Sequence, residues 1–423
     1  MAITDKTQGV WTIDQAYNKN TQGSIWPLIS ENILYSWGQQ ADDFLLYDAP
    51  SGAAKSSPTQ VGDATDTGWQ AGKFAYHYEG GKPYEIGIHA IKTDGTLWCW
   101  GHNENGWFGD NTGGTNSNSP KQIPGTWTHI SNGISVAGIK DDGSLWTWGD
   151  NTSDEAGNLG LNDTVMRSSP TQVPGTYKSV AAFREMAMCA VKTDGTLWGW
   201  GRQYRWGNTS ISTYISSPTQ VGTNTNWSDV ALPSAGNGCF SGLKTDGSLW
   251  VWGNGSATKG GQNGGTPQWY TSPRQVGTDT DWARPTVDKG ANWLWKGDSK
   301  QLWLLGGESY ALKTPGALYP GPAAPGGVSS PIQLDSGWNG GVVSGSAEGA
   351  NMQIVKTDGT MWIWGQAHKG YFCDKISPGN DGTEISSPIQ IPGTNWQAPL
   401  ISGAVPYGSM MAMRTDTSTT SGV

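Results

Sequence analysis

The chain has 423 residues, of which 62 are Gly and 25 are Trp, while only 14% are charged. A composition this rich in turn formers and aromatics favours many short strands, and a chain of this length forms one domain only if it is built of repeats. The net charge of −9 argues against nucleic-acid binding, which needs a basic face, and no apolar run reaches the roughly 18 residues that span a bilayer.

Residues 1–32 stand outside any repeat. They carry Trp11, Ile13, Tyr17, Ile25 and Trp26, more apolar content than a free tail needs, so these five are candidate anchor residues. The alternative is an arm packed against the side of its own chain. The opening residues, Met1 to Lys6, lack a signal-type hydrophobic core, which predicts synthesis in the cytosol.

From residue 33 to about 416 two phrases alternate. The first reads KTDGTLWCWG at Lys92–Gly101 and returns from Lys140, Lys192, Lys244 and Lys356, with a degenerate copy at Lys296–Gly306. The second reads SSPTQVG from Ser56 and returns six more times, each followed by an aromatic: Trp69, Trp127, Tyr177, Trp227, Trp282, Trp338 and Trp396. Only six complete copies of the first phrase exist. The seventh is divided: Tyr35-Ser36-Trp37-Gly38 supplies its second half, and Met413-Arg414-Thr415-Asp416 supplies its first. An open solenoid has no use for that division, whereas a ring does, because pairing the terminal strands removes two exposed edges. Residues 417–423 are left as a tail.

Within one repeat, Asp-Gly between alternating stretches predicts a type I′ hairpin turn, with positive φ at both central residues. Alternation then places Trp98 and Trp100 on one face and Leu97 and Cys99 on the other. A single sheet of this size has no core, so both indoles are expected to bury against the next sheet, each removing about 150–250 Å² from water. The small residues ahead of the turn, such as Ala187 to Ala190, suit a crowded innermost strand, and Pro in each SPxQ phrase suits a strand entrance or edge. The ring of Lys92, Lys140, Lys192, Lys244, Lys296, Lys356 and Arg414, with an Asp two residues later, reads as surface salt bridging; a polyanion-binding ring is the sharper reading.

These repeats resemble those of the RCC1 family, whose consensus joins W-x-W-G to N-x-x-G-x-L-G, then P-x-x-V, then a small-residue strand ending in D-G. The match is fullest at Trp148-Gly149, Gly157-Asn158-Leu159-Gly160 and Pro170 to Val173. Elsewhere, as at Asn105-Gly106-Trp107-Phe108-Gly109, the G-x-L-G element reads as an unrelated loop. The resemblance implies an all-β, seven-bladed β-propeller, residues 33–416, closed by pairing of its N- and C-terminal strands. It says little about function, because propellers of this family act as exchange factors, inhibitors, adhesive surfaces and scaffolds.

Function is therefore sought in what does not repeat. The stretches between Trp-Gly and Ser-Pro carry aromatics that the scaffold does not demand. Trp107, Phe108, Tyr204, Trp206, Trp269, Tyr270, Tyr371 and Phe372 form the candidate binding patch; covering the outer strands is the competing reading. The segment from Gly9 to Pro27 resembles N-terminal arms of virion proteins of marine tailed phages, which dock on another subunit. That resemblance implies a virion protein held by its arm to other subunits, part of a larger assembly, with the propeller meeting a host-surface glycan or protein. Capsid or tail decoration, and a cytoplasmic interaction scaffold or inhibitor, are the alternatives.

The residues show no catalytic or metal-binding pattern. The five histidines have no metal-ligand spacing, and the four cysteines no paired spacing. The oxygen-rich stretch Asp150 to Gly157 places its Gly late for a calcium loop, and Gly255 to Gly261 lacks the Lys-Ser or Lys-Thr of a phosphate loop. No catalytic residue, cofactor or metal is assigned, and the chain is expected not to be an enzyme.

Overall fold

A computed structural model describes residues 29–39, 54–62, 67–78, 86–152, 157–183, 186–202, 214–231, 239–255, 268–283, 286–288, 291–296, 301–306, 328–333, 343–345, 352–366, 384–397 and 409–418. Within them every regular element is a β-strand. The anchor candidates Trp11, Ile13, Tyr17, Ile25 and Trp26 lie outside the described residues.

The strands fall into seven antiparallel blades, ordered inner to outer as a, b, c and d, with b, c and d of blade 7 among the described residues. β1 (Ile29–Gln39) and β2 (Ala54–Gln60) are c and d of blade 7. Blade 1 contains β3 (Trp69–Tyr78), β4 (Ile86–Lys92), β5 (Thr96–Gly101) and the first part of β6 (Ser117–Asn132). The rest of β6, β7 (Ser135–Lys140), β8 (Ser144–Gly149) and the first part of β9 (Arg167–Phe183) form blade 2. Blade 3 is the end of β9, β10 (Ala187–Lys192), β11 (Leu197–Arg202) and β12 (Tyr214–Gln220). Blade 4 is β13 (Trp227–Ala231), β14 (Cys239–Lys244), β15 (Leu249–Gly255) and β16 (Gln268–Gln275). Blade 5 is β17 (Thr286–Asp288), β18 (Ala291–Trp295), β19 (Leu302–Gly306) and β20 (Val328–Gln333). Blade 6 is β21 (Val343–Gly345), β22 (Met352–Val355), β23 (Met361–Gln366) and β24 (Glu384–Ile391).

β25 (Ser409–Ser418) is strand b of blade 7, paired with β1 from Ile29↔Ser418 to Gly38↔Ser409. The divided repeat thus rejoins as one sheet, and the pairing runs beyond residues 33 and 416 at both ends. Its side chains alternate between two junctions. Met411 and Met413 pack with Leu34, Trp69 and Trp100 toward blade 1, while Ala412 packs with Trp37, Val355 and Ile363 toward blade 6.

The expected face alternation holds: Trp100 faces blade 7, and Leu97 and Cys99 face Trp127 and Trp148 of blade 2. The two tryptophans of a strand differ, however. Trp100, Trp148, Trp200 and Trp252 are fully buried, whereas Trp98, Trp146, Trp198 and Trp250 are only partly covered, nearer the hairpin turn.

Three expectations need correction. The Asp-Gly turns are not type I′. Gly95 N–H donates to the Lys92 carbonyl at 2.9 Å, and Gly95 takes φ +83° while Asp94 stays out of the left-handed region. This is a type I turn closed by a left-handed Gly, the three-residue hairpin loop with a bulge. The same hydrogen bond recurs from Gly143, Gly195, Gly247 and Gly359.

The small-residue strand is not innermost. β10 lies between β9 and β11, so a strand flanks it on either side. Neighbouring a strands are tied directly: Ser131 Oγ accepts from Ala182 N–H at 3.0 Å, His129 Nε2 donates to the Val180 carbonyl at 3.1 Å, and Ser179 Oγ bonds Asp229 and the Val230 carbonyl. Strand b is small for another reason. A Cβ on Gly138 would stand 2.7 Å from the Trp127 ring, so the aromatic of strand a lies flat over it.

The lysines stack on rings. Lys92 Nζ sits 4.7 and 4.6 Å from Trp69 and Trp98, Lys192 Nζ 5.6 and 3.6 Å from Tyr177 and Trp198, and Arg414 4.8 and 5.7 Å from Tyr35 and Trp396. Lys140, Lys244 and Lys296 make the same double contact, and Lys356 lies over Trp362. The predicted aspartate partners are engaged elsewhere. Asp94 Oδ1 accepts from Thr96 N–H and Oγ1–H, and Thr96 Oγ1 in turn accepts Trp98 Nε1–H at 2.8 Å. A half-buried ring beside a desolvated ammonium gains more than a solvated ion pair. Lys296, which also pairs with Asp279 at 2.6 Å, shows both modes.

The SPxQ segments pair on one side only, with strand c, as their Pro requires. Each is also bulged against Trp-Gly: between Cys99↔Lys121 and Gly101↔Ser117, two steps on β5 oppose four on β6, and the shift recurs in all seven blades.

Candidate binding surface

The loops from strand c to strand d were expected to carry recognition, and two are described almost completely. In the first, Trp107 and Phe108 are 0% exposed, so neither belongs to a surface patch. Trp107 Nε1 donates to the Ile134 carbonyl at 2.8 Å, and its own carbonyl accepts from Trp148 Nε1 at 2.7 Å. Phe108 N–H donates to Asn103 Oδ1, and the ring lies beneath Lys121. Tyr270 is likewise buried, inside β16, where its place opposite Gly253 turns it inward. Trp269 lies in the same strand opposite Asn254. Tyr204, Trp206, Tyr371 and Phe372 fall outside the described residues.

The second loop explains the first. Gly160 N–H donates to the Gly157 carbonyl, as Gly109 does to Gly106. Asn162 N–H donates to the Ser216 carbonyl, as Asn111 does to Ser168, and both Asn are left-handed, at φ +62° and +63°. The Asn158 carbonyl accepts Trp200 Nε1–H at 2.9 Å, as that of Trp107 accepts Trp148. Gly106-Trp107-Phe108-Gly109 is therefore the G-x-L-G element with Phe in the Leu position, a clamp reaching across to the next blade. What hid it from the sequence is shorter spacing and a larger apolar residue.

The oxygens of Asp150 and Asn151 serve this clamp. Asp150 Oδ1 accepts from Thr152, and Asn151 Oδ1 accepts from Gly157 and Leu159 N–H. Among the described residues no group of three or more His, Cys, Asp and Glu is placed to hold a metal. The thiols of Cys99 and Cys189 are buried, and desolvation raises their pKa well above the ordinary value, so both stay protonated. His89 is fully buried. Its Nε2 donates to the Trp107 carbonyl at 2.8 Å and its Nδ1 accepts from Asn132 Nδ2, while desolvation lowers its pKa to about 3.

Beyond the clamp the second loop leaves the surface open. Between blades 2 and 3 a cavity of 460 Å³ is bounded by Asp163 from the loop, Arg167 at the start of β9, Tyr177, Lys192 and Trp198 from the sheet, and Pro218 from β12. Asp163 and Arg167 form an ion pair of 2.6 Å, and Arg167 Nη1 also donates to the Val165 carbonyl at 2.8 Å. Between Asp163 and Arg167 in the chain, Val165 is 57% and Met166 40% exposed.

Solved structures share the fold. Prp20p from Saccharomyces cerevisiae superimposes with a TM-score of 0.69 over 92% of this chain and 93% of that one, at 14% identity. Yeast RCC1 (Prp20) bound to Kap60 gives 0.70 over 92% and 90%, at 15% identity. The fold is an RCC1-type β-propeller. Human WBSCR16 agrees, with a TM-score of 0.65 over 90% and 98% at 14% identity. No protein-family model matches the chain, and no curated protein does. At these identities an RCC1-type propeller transmits its scaffold, so recognition is argued from this chain's own surface.

Proposed function

We propose that the chain is a non-enzymatic binding propeller: a virion protein of a tailed phage, docked through its N-terminal arm to other subunits, with its rim turned to a host-surface glycan or protein. The observation that carries it is the contrast between a ring whose repeated residues are spent on mutual packing and an unrepeated arm rich in Trp and Ile. A closed ring has no free terminal edge to offer, which leaves loops and arm for contacts. The likeness of residues 9–27 to phage virion arms supports the particle assignment.

The test is a deletion of residues 1–28, which stops short of β1. The full chain should purify with phage particles, and the shortened chain should fold yet be missing from them. Equal incorporation of both removes the arm's role, and absence of the full chain from particles removes the virion reading. Particles that carry the protein but adsorb to cells without needing it identify a decoration protein. A cellular interaction scaffold or inhibitor is the second reading. It is favoured by the structural neighbours: Prp20p is described with binding to Gsp1p and histones, and yeast RCC1 with Kap60 bound.

A further inference from the structure

The groove between blades 2 and 3 offers more than a shape. Its floor holds Lys192, whose ammonium is stacked 3.6 Å from the Trp198 ring and 5.6 Å from Tyr177. No carboxylate lies within ion-pair distance of that ammonium among the described residues, in contrast to Lys296 and Lys121, which reach Asp279 and Asp110. Arg167 is the second cation of the wall and Asp163 the acid, so the lining carries two positive charges against one, on a chain whose net charge is −9. Asp194, two residues from Lys192 and within its electrostatic reach, is committed to Thr196 N–H and Oγ1–H, so the lining itself keeps a net positive charge that favours anionic groups.

The apolar part of the site discriminates between anions. Val165 and Met166 are the exposed large hydrophobic side chains among the described residues, and in the chain they lie between the lining residues Asp163 and Arg167. Tyr177 is 1% exposed, and one face of Trp198 is already occupied by Lys192, so a sugar finds little open ring to stack on. Aliphatic side chains, by contrast, gain by covering a valine and a methionine.

We propose that this groove binds an acidic, aliphatic-rich peptide segment of a partner protein, its carboxylate over Lys192 and Arg167 and an aliphatic side chain on Val165 and Met166. This deepens the binding-propeller reading and rests on it, but it does not depend on the arm.

The test screens the full chain against a bead-bound library of random octapeptides, then measures the best binders by fluorescence anisotropy. Enriched peptides should pair Asp or Glu with Leu, Ile or Val. Lys192→Gln should weaken them about tenfold or more, the scale of one lost charge-assisted contact, while Lys192→Arg retains binding. Val165→Ser with Met166→Ser, both at exposed positions, should weaken the same peptides and leave melting unchanged. Enrichment without acidic residues, no enrichment at all, or binding indifferent to Lys192→Gln in a folded protein each overturns the proposal. So does polygalacturonate binding that depends on Lys192 when the octapeptides do not bind, which reassigns the groove to an acidic glycan. The deletion of residues 1–28 should keep peptide binding, and Lys192→Gln should keep particle incorporation, so either reading can fail alone.

Discussion

His89 is a histidine that the sequence shows only as one of five, and its role comes entirely from packing. It sits in strand b, where its two ring nitrogens join the Trp107 carbonyl of one clamp to Asn132 of the next blade. Burial removes the water that an imidazolium needs, and the hydrogen bond to Trp107 offsets only part of that, so its pKa falls to about 3. An unfolded imidazole has a pKa of about 6.5, so between pH 6.5 and 3 the unfolded chain binds a proton that the folded one refuses. Stability should therefore decline as the pH falls through this window, with a slope from this group of up to about 1.4 kcal/mol per pH unit. His89→Gln, which retains a donor and an acceptor, should flatten the dependence in urea titrations from pH 7 to pH 4.5. An unchanged slope would assign the acid sensitivity to other groups.

The clamp shows what pattern reading recovers at the level of the element and what it does not. Hairpins, edge strands and face alternation were legible because each is set by two or three residues in fixed order: Asp-Gly, Ser-Pro, Trp-x-Trp-Gly. The turn type was not, since Asp-Gly serves two loop geometries and the choice lies with the Thr or Ser hydroxyl that the Asp holds. Trp107 and Phe108 read as surface in the sequence because a loop aromatic has no strand parity to declare its direction. The clamp assigns them to the core, and this can be measured. Trp107→Ala should cost about 3–5 kcal/mol by leaving a cavity against Trp148, and should lower the melting temperature by several degrees. Phe108→Leu should cost less than about 1.5 kcal/mol, since Leu159 fills the same position in the next clamp. Melting unaffected by Trp107→Ala would return it to the surface. Neither substitution touches Lys192, Val165 or Met166, so octapeptide binding should survive both wherever the protein remains folded.

The whole molecule depends on one closure. Blades 1 to 6 are each built from consecutive strands, but the sheet of blade 7 joins strands nearly 400 residues apart, as the pairing of Ile29 with Ser418 shows. This was legible from the divided repeat, because a phrase split between the two ends of a chain has a use only if the ends meet. Its energetic weight was not legible, since the seating of Met411 and Met413 on one side and Ala412 on the other emerges only once the register is known. Ending the chain at residue 408 should uncover two hydrophobic junctions and leave β1 with an unpaired edge, two faults of the kind that promote aggregation. The shortened protein should lose its single cooperative transition and associate in a concentration-dependent way by light scattering. A synthetic peptide spanning residues 409–418, added in trans, should pair with β1 and restore both the transition and the monomer, as strand addition does elsewhere. A shortened chain that stays monomeric and unfolds at the same midpoint would show that the ring is held by its blade junctions without the closing strand.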